Sequence, residues 1–218
     1  MSPSTGRARR TTIAGSAVAT GAGDDGTTGL LYGGRVGKDS LAVEAYGTVD
    51  EVVAALGVAR AELAELPQGT LAELPALILR LQRELFVAGA ELATGIDALD
   101  RLRDGVTRVD ESMVLAVEAD LATWESRVTM PKEFVLPGGT RLSAALEVAR
   151  VTTRRAERRI VGLGHSGHPV GSWLVPWINR VADLLWVLAR AAEMAQGEAA
   201  TPARPERRRA SSAGPPET

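Results

Sequence analysis

Apolar residues recur at the spacing of an α-helix in five separate segments, and this periodicity constrains the fold more than any other feature of the chain. From Glu44 to about Leu66 they lie three or four residues apart, as one face of a helix requires. The same spacing predicts helices over about 70–93, 110–127, 140–163 and 175–195. No segment alternates convincingly with period two, so strands should be few or absent. Four or five helices of this length, joined by modest loops, predict an all-α fold built as a helical bundle.

Several residues mark where these helices begin and end. Thr70 and Glu73 match a capping box at the start of the second helix. Gly162 or Gly164 is expected to end the fourth helix, because glycine is common just past a helix C-terminus. Pro176 is tolerable only in the first turn of the fifth helix, where its missing N–H is not needed.

Both ends of the chain lack apolar periodicity. Residues 1–17 are small and polar, and residues 196–218 are rich in Pro, Ala and Arg. We therefore expect a disordered N-terminal arm over 1–17, a bundle domain over 18–195 and a disordered tail over 196–218. The Arg-rich, acid-free start is also typical of an organelle transit peptide. We interpret it as the flexible arm of a cytoplasmic protein.

The composition excludes several classes of site and partner. The chain has no cysteine, which excludes disulfides, thiolate metal ligands and cysteine nucleophiles. His165 and His168 are its only histidines, too few for a histidine-rich metal cage. The net charge of −2 provides no field that attracts nucleic acid or an anionic membrane. No apolar run approaches the roughly 20 residues of a membrane span. We therefore expect the protein to bind neither nucleic acid nor a membrane.

A glycine-rich segment, TGAGDDGTTG, occupies residues 20–29. Glycine permits positive φ, and successive N–H groups in such a bend can surround an anion such as phosphate. Lys38 follows ten residues after Thr28 and could fold back onto the same anion as a point charge. A surface turn or a calcium loop explains the glycine-rich segment equally well, because no Gly-Lys-Ser/Thr closes it. Taken alone, Lys38 is better interpreted as a solvated surface lysine.

The fourth predicted helix carries a cationic face. At about 100° per residue, Arg150, Arg154, Glu157 and Arg158 fall within one arc of roughly 100°. Arginines stacked in this way repel one another unless an anion neutralises them, and guanidinium groups bind phosphate oxygens bidentately. The alternative is that acids of a neighbouring helix neutralise the face, and periodicity alone does not decide between the two.

Two further groups of residues allow a functional and a structural interpretation. Phe134 begins FVLPGG, which is either an ordinary core residue before a turn or one wall of a ligand pocket. Asn179 lies within the apolar fifth helix, and Asp50 lies on the first helix. Such polar groups more often form hydrogen bonds between helices than catalytic sites.

The order of these segments resembles one family, the ATP:cob(I)alamin adenosyltransferases (corrinoid adenosyltransferases) of the propanediol-utilisation, or PduO, type. Six blocks carry the resemblance between about Thr20 and Arg190: TGAGDDGTTG, KDS, EAYGTVDE, FVLPGG, RRAER and NRVADLLWVLAR. Family members commonly have an aromatic residue before the first threonine and a basic residue after it. This chain has Ala19 and Gly21 at those positions, followed by Ala22.

The resemblance implies a five-helix bundle that assembles as a homotrimer with active sites at the subunit interfaces. It implies that Asp50 and Arg150 form a salt bridge between adjacent subunits, and that Phe134 closes the lower face of the corrinoid. Together with Lys38 and Arg154, these residues form the implied catalytic set. The implied nucleotide-binding positions are Thr20, Gly21, Ala22, Gly23, Asp24, Gly26, Thr28, Gly29, Lys38, Arg154, Arg155, Glu157, Arg158 and Asn179.

The activity implied by the resemblance is transfer of the 5′-deoxyadenosyl group of ATP to cob(I)alamin, giving adenosylcobalamin and triphosphate. ATP, Mg²⁺ and the corrinoid are the implied substrates and cofactor, and a cobalamin-dependent mutase or dehydratase is the implied recipient of the product. Two other hypotheses remain: a module that binds ATP or a corrinoid without turnover, and a structural helical oligomer whose arginines pair with neighbouring subunits.

Overall fold

The computed structural model describes residues 16–67, 69 and 71–204. Within them the chain forms five α-helices, as the periodicity and the resemblance predict, and the all-α bundle is confirmed. The helices are α1 Leu41–Ala64, α2 Leu74–Leu92, α3 Glu111–Glu125, α4 Arg141–His165 and α5 Leu174–Ala195, with a 3₁₀-helix at Ile96–Arg101 between α2 and α3.

The described strands are short and form two antiparallel pairs. β1, Thr27–Gly29, pairs with β2, Arg35–Gly37, in the segment before α1. β3, Val135–Leu136, pairs with β4, Thr201–Pro202, so that a segment just before α4 meets one that follows α5. Both pairs therefore fix loops at the ends of the bundle and contribute little to its core.

Side chains cap three helices where the sequence places polar residues. Ser40 accepts a hydrogen bond from the Val43 N–H at the start of α1, and Asp110 accepts one from Met113 at the start of α3. Thr140 forms a capping box with Ser143 at the start of α4. These bonds satisfy N–H groups that have no partner within the helix.

Two of the helix boundaries expected from sequence have different outcomes. The capping box of Thr70 with Glu73 involves a residue outside the described part of the chain. The expected end of α4 at Gly162 or Gly164 is wrong, because the helix continues through both to His165. Neither glycine has a positive φ; Gly167, at φ 90°, is the residue that leaves the helical conformation.

α4 lies at the centre of the bundle, against α1 on one side and α5 on the other, while α2 packs on α1 and α3 packs on α5. Helical spacing places one apolar stripe on α4 and another on α5, and both are buried. The residues of these two stripes are Leu142, Leu146, Ala149, Thr153, Ala156, Ile160, Ile178, Val181, Leu184, Leu185 and Leu188.

A buried carboxylate fastens two loops to α2. Glu91 accepts hydrogen bonds from the backbone N–H groups of Val109 and Gly171, each at 2.9 Å. Burial raises the pKa of Glu91, while these two N–H donors act in the opposite direction. The side chain therefore joins the segments before α3 and α5 to the same helix.

The segment after α5 departs from the expected disordered tail over its first residues. Residues 196–204 are described, and β4 pairs there with β3. The Ala203 N–H also donates to the Phe134 carbonyl oxygen at 2.7 Å. Backbone pairing of this kind needs no apolar periodicity, which is why composition did not indicate it. Within the described residues, no helix has the length and apolarity to cross a membrane.

Candidate functional site

The glycine-rich segment forms a closed bend before and around β1. Gly21 and Gly26 have φ values of 64° and 79°, in the left-handed region that glycine adopts without a steric penalty. The Lys38 N–H donates to the Gly26 carbonyl oxygen at 2.9 Å, which joins the end of the β2 strand to the bend. The positive φ values expected from the glycines are therefore present at two positions.

Arg35 holds this bend together, a role that the sequence did not reveal. Its guanidinium donates to the Ala22 carbonyl oxygen at 2.6 Å and to Thr27 Oγ1 at 2.6 and 2.9 Å. Asp25 accepts from the Thr27 N–H and hydroxyl group, and these bonds, with the nearby Arg35 charge, lower the pKa of the Asp25 carboxyl group. In the sequence, Arg35 is only an arginine that follows a glycine- and aspartate-rich segment. This pattern is common at protein surfaces, so it did not indicate the role of Arg35.

Lys38 lies directly over Gly23. A Cβ atom on Gly23 would be 2.9 Å from Lys38 Nζ and 3.1 Å from the Thr27 carbonyl oxygen. A Cβ atom here would have to displace the end of the Lys38 side chain, so the glycine lets the ammonium group lie close to the backbone of the bend. Lys38 therefore folds back onto the glycine-rich segment, while its predicted contact with a bound anion stays a prediction.

An apolar cleft of about 540 Å³ opens between the bend, α1 and α2. Gly29 and Asp50 both line it, so the structure brings together two candidate residues that lie far apart in sequence. Asp50 is exposed, and Phe86 lines the same cleft with 66% of its surface exposed. Among the residues lining it are Leu30, Leu31, Tyr46, Val53, Leu85 and Ala93.

The arginines of α4 divide into two groups. Arg155 forms an ion pair with Glu51, and Arg159 forms one with Glu44 at 3.0 Å, so acids of α1 neutralise this side of the helix. Arg154 and Arg158 are different: Arg154 is 3.9 Å from Glu157, and Arg158 donates only to the Arg154 carbonyl oxygen within the described residues. Acids of a neighbouring helix therefore neutralise Arg155 and Arg159, which lie beside the predicted face, whereas anion binding by Arg154 and Arg158 stays a prediction.

Asn179 joins α5 to this face of α4. Its Nδ2 donates to Glu157 Oε1 at 3.0 Å, and its Oδ1 accepts from Arg180 at 3.1 Å. Arg180 in turn reaches Glu118 on α3 at 3.2 Å. The hydrogen bond between helices that the sequence favoured is present, and it also orients Glu157 beside Arg154.

Four side chains form a buried ion network between α4 and α5, defined here as Glu147, Arg150, Arg190 and Glu193. Arg190 donates to both carboxylate oxygens of Glu193, at 2.8 and 3.0 Å. Its Nη1 lies 3.1 Å from Glu147 Oε1, close enough for an ion pair but without hydrogen-bond alignment. Glu147 Oε2 accepts from Arg150 Nε at 2.6 Å. The sequence did not reveal this network, because its members look like ordinary helix-surface charges.

Phe134 lies on the surface, with 90% of its area exposed. The turn that follows it, residues 137–139, contains Gly138 at φ 113° and leads into α4. The pairing of β3 with β4 fixes the backbone that directly follows this side chain. Of the two sequence interpretations, the ordinary core residue is wrong for Phe134 within this chain.

Some candidate residues are not brought together within one chain. Among the described residues, no hydrogen bond or ion pair links the bend to the arginines of α4, and none links Asp50 to Arg150. Thr20, Asp24 and Thr28 lie in the bend, where Thr20 accepts from the Ala22 N–H at 3.4 Å. In the part of the chain that the structure describes, no group of three or more acidic or histidine side chains is placed to hold a metal ion.

Comparison with known proteins gives one consistent result. A family model described as cobalamin adenosyltransferase matches residues 18–192. The chain is 37% identical over 178 residues to the corrinoid adenosyltransferase of Bacillus subtilis, covering 82% of this chain and 87% of the relative. It is 40% identical over 174 residues to the corrinoid adenosyltransferase of Citrobacter freundii, covering 80% of this chain and 93% of that one.

The fold is similar to solved structures of a PduO-type ATP:corrinoid adenosyltransferase from Lactobacillus reuteri. A phenylalanine-to-alanine variant complexed with cobalamin and ATP superimposes with a TM-score of 0.74 at 29% identity, covering 84% of this chain and 97% of that chain. An arginine-to-lysine variant complexed with ATP gives a TM-score of 0.73 at 30% identity, covering 84% and 98%.

Proposed function

This chain belongs to the cobalamin adenosyltransferase family, and from that membership we propose that it transfers the 5′-deoxyadenosyl group of ATP to the cobalt of a reduced corrinoid. The observation that carries the proposal is the match over 18–192, which includes the bend, α4 and most of α5. ATP and cobalamin are the ligands named for the L. reuteri enzyme of the same fold. The products are an adenosylcorrinoid and triphosphate.

The reaction is a nucleophilic displacement at carbon. The electron pair of Co(I) attacks the ribose 5′-carbon, a cobalt–carbon bond forms, and the bond from that carbon to the triphosphate oxygen breaks. The electron pair of the broken bond leaves on triphosphate, so no proton transfer is needed at the reacting atoms. The protein contributes by holding the two substrates in line, which can be worth roughly 7–11 kcal/mol of barrier, and by stabilising the leaving group.

The bend and the free side of α4 supply the charge for triphosphate. Lys38 Nζ lies close to Gly23. Among the described side chains, Arg154 has only the 3.9 Å contact with Glu157, and Arg158 forms no ion pair with a carboxylate. These cations stabilise the departing triphosphate more than they stabilise bound ATP, because charge accumulates there as the bond breaks. Mg²⁺ would accompany ATP and add positive charge at the triphosphate. It would need few protein carboxylates, which fits the lack of a cluster of three or more acidic or histidine side chains among the described residues.

Phe134 and the apolar cleft suit the corrinoid. A large macrocycle needs an apolar wall, and the cleft beside Asp50 has one. Phe134, 90% exposed, is available to exclude the lower axial ligand of cobalt. Removing that ligand leaves four-coordinate Co(II), which accepts an electron more readily because no ligand donates to it.

A homotrimer accounts for the candidate residues that do not meet within one chain. In this arrangement Asp50 of one subunit binds Arg150 of the next, and the bend of one subunit faces the free arginines of its neighbour. The outer face of α4 supports this proposal, because Val148 and Val151 are 57% and 50% exposed and line a shallow apolar depression. A cytoplasmic location, with transfer of the product to a cobalamin-dependent mutase or dehydratase, completes the proposal.

The test is an anaerobic assay with ATP, Mg²⁺ and chemically reduced cob(I)alamin. The formation of adenosylcobalamin is monitored by its absorbance. Turnover with release of triphosphate is expected. ATP binding without adenosylcobalamin would instead support a nonenzymatic ATP-binding module, for which Ala19 and Gly21 at the start of the bend are the supporting feature. No ATP-dependent thermal shift would support a purely structural oligomer.

A pair of arginine variants on one helix tests the triphosphate site. Arg154→Ala should lower turnover because it removes a cation beside the leaving group. Arg159→Ala is the matched control, since Arg159 has a similar exposure and is already neutralised by Glu44. Equal activities of the two variants would remove Arg154 from the proposed site.

A further inference from the structure

The buried ion network suggests that residues behind the substrate-facing side chains set the geometry of the site. We propose that Glu147 is a positioning residue that orients Arg150 toward the neighbouring subunit, and that Arg190 and Glu193 couple it to the turn carrying Phe134. This inference rests on the proposed function, because Arg150 and Phe134 matter here through their proposed contacts with Asp50 and the corrinoid.

The orientation of Arg150 follows from its one side-chain hydrogen bond to a residue in the described part of the chain. Its Nε donates to Glu147 Oε2 at 2.6 Å, and its two Nη groups have no hydrogen-bond partner among the described residues. The Arg150 side chain is 24% exposed and the Glu147 side chain 5% exposed. A buried acid thus holds the inner edge of the guanidinium plane, leaving the Nη groups for a carboxylate of another chain.

The position of Glu147 is fixed from behind by Arg190. The Arg190 side chain is 2% exposed, and its guanidinium contacts Glu147 on one side and Glu193 on the other. Two acids and two arginines balance in charge, and a low-polarity surrounding makes rearrangement of any one of them costly. The network therefore transmits a change at one end to the other.

Its far end supports the turn after Phe134. A Cβ atom on Gly139 would lie 3.1 Å from Glu193 Oε1 and 3.2 Å from its Cγ, so the backbone of the turn rests on this side chain. Gln196 Nε2 also donates to Thr140 Oγ1 at 3.0 Å, one residue further along. The turn after Phe134 and the Arg150 side chain therefore contact the same ion network, the turn through Glu193 and Arg150 through Glu147. The sequence pattern gave no sign of this connection.

Glu147→Gln tests this role, because it keeps the size of the side chain and removes its charge. We would measure turnover from cob(I)alamin, turnover from cob(II)alamin with a reductant, and the four-coordinate Co(II) signal by electron paramagnetic resonance with ATP bound. The expected result is a loss of about tenfold or more from cob(II)alamin, with weakening of that signal, because small misplacements of positioning groups have effects of this size. Turnover from cob(I)alamin should change far less.

Two further variants keep the outcome decisive. Gly139→Ala retains all four charges but displaces the turn from Glu193, and it should reproduce the selective loss even if Glu147→Gln does not fold. Glu62→Gln removes an acid of a surface ion pair with Arg141, 2.8 Å apart, and should leave both rates unchanged.

The results that overturn the inference differ from those that overturn the function. Equal losses from both cobalt states, or a lower melting temperature with an unchanged ratio of the two rates, would reduce the network to a structural role. An unchanged rate of turnover from cob(II)alamin in Gly139→Ala would show that the ion network is not coupled to the turn after Phe134. Absence of turnover by the wild-type protein from cob(I)alamin would instead overturn the proposed function itself.

Discussion

Replacing Arg190 with methionine should strongly destabilise the bundle. The substitution removes the cation between Glu147 and Glu193, whose side chains are 5% and 3% exposed. Both carboxylates then remain inside the protein with little access to water, and Glu193 loses two hydrogen bonds at 2.8 and 3.0 Å. Methionine fills much of the arginine volume. The loss in free energy of unfolding should therefore come mainly from the missing charge and not from lost packing.

The expected magnitude follows from the burial of the two acids. Breaking a buried ion pair from one side costs about 3–5 kcal/mol, because an uncompensated charge is left behind. For a chain of this size each kcal/mol lowers the melting temperature by about 2–4 °C, which gives a drop of roughly 6–20 °C. Arg141→Met is the matched control: Arg141 is 87% exposed and pairs with Glu62 at 2.8 Å, and an exposed pair contributes about 0–1 kcal/mol.

Urea unfolding at neutral pH measures both variants against the wild-type protein. Protein concentration must be the same in all samples, because subunit association would make the apparent stability concentration-dependent. If Arg190→Met and Arg141→Met lost the same free energy of unfolding, the claim that burial makes this network costly to break would be refuted.

Three other predictions concern the site and a buried acid. Phe134→Ala should retain ATP binding but lose most turnover from cob(II)alamin, and near-wild-type turnover from that state would contradict its assignment. Gly23→Ala should weaken ATP binding by titration calorimetry, because a Cβ atom 2.9 Å from Lys38 Nζ displaces the ammonium group; Gly162→Ala, in open space on α4, is the control. Burial raises the pKa of Glu91 above 4.5, so its titration contributes stability that is present below the unfolded pKa and lost as pH rises through the folded pKa. The difference in unfolding free energy, wild type minus Glu91→Gln, should therefore fall from about pH 4.5 upward, and a rise would contradict the direction of the shift.

The bundle could be predicted from the sequence because the interactions involved are local. The stripe from Leu142 to Ile160 is buried as its spacing requires, since residues three and four apart share a helix face whatever packs against it. The bend could be predicted for a similar reason, as Gly21 and Gly26 supply the positive φ values it needs.

The partners of the charged side chains were decided only by the tertiary structure. Arg154 and Arg155 are adjacent in sequence, yet Arg155 pairs with Glu51 while Arg154 stays nearly free, because α1 lies along one side of α4. Likewise Arg190 is buried and Arg141 exposed, although both are arginines on helices with acids in reach. Helical periodicity determines which residues share a face, but the neutralisation and solvation of a charge depend on which helix packs there.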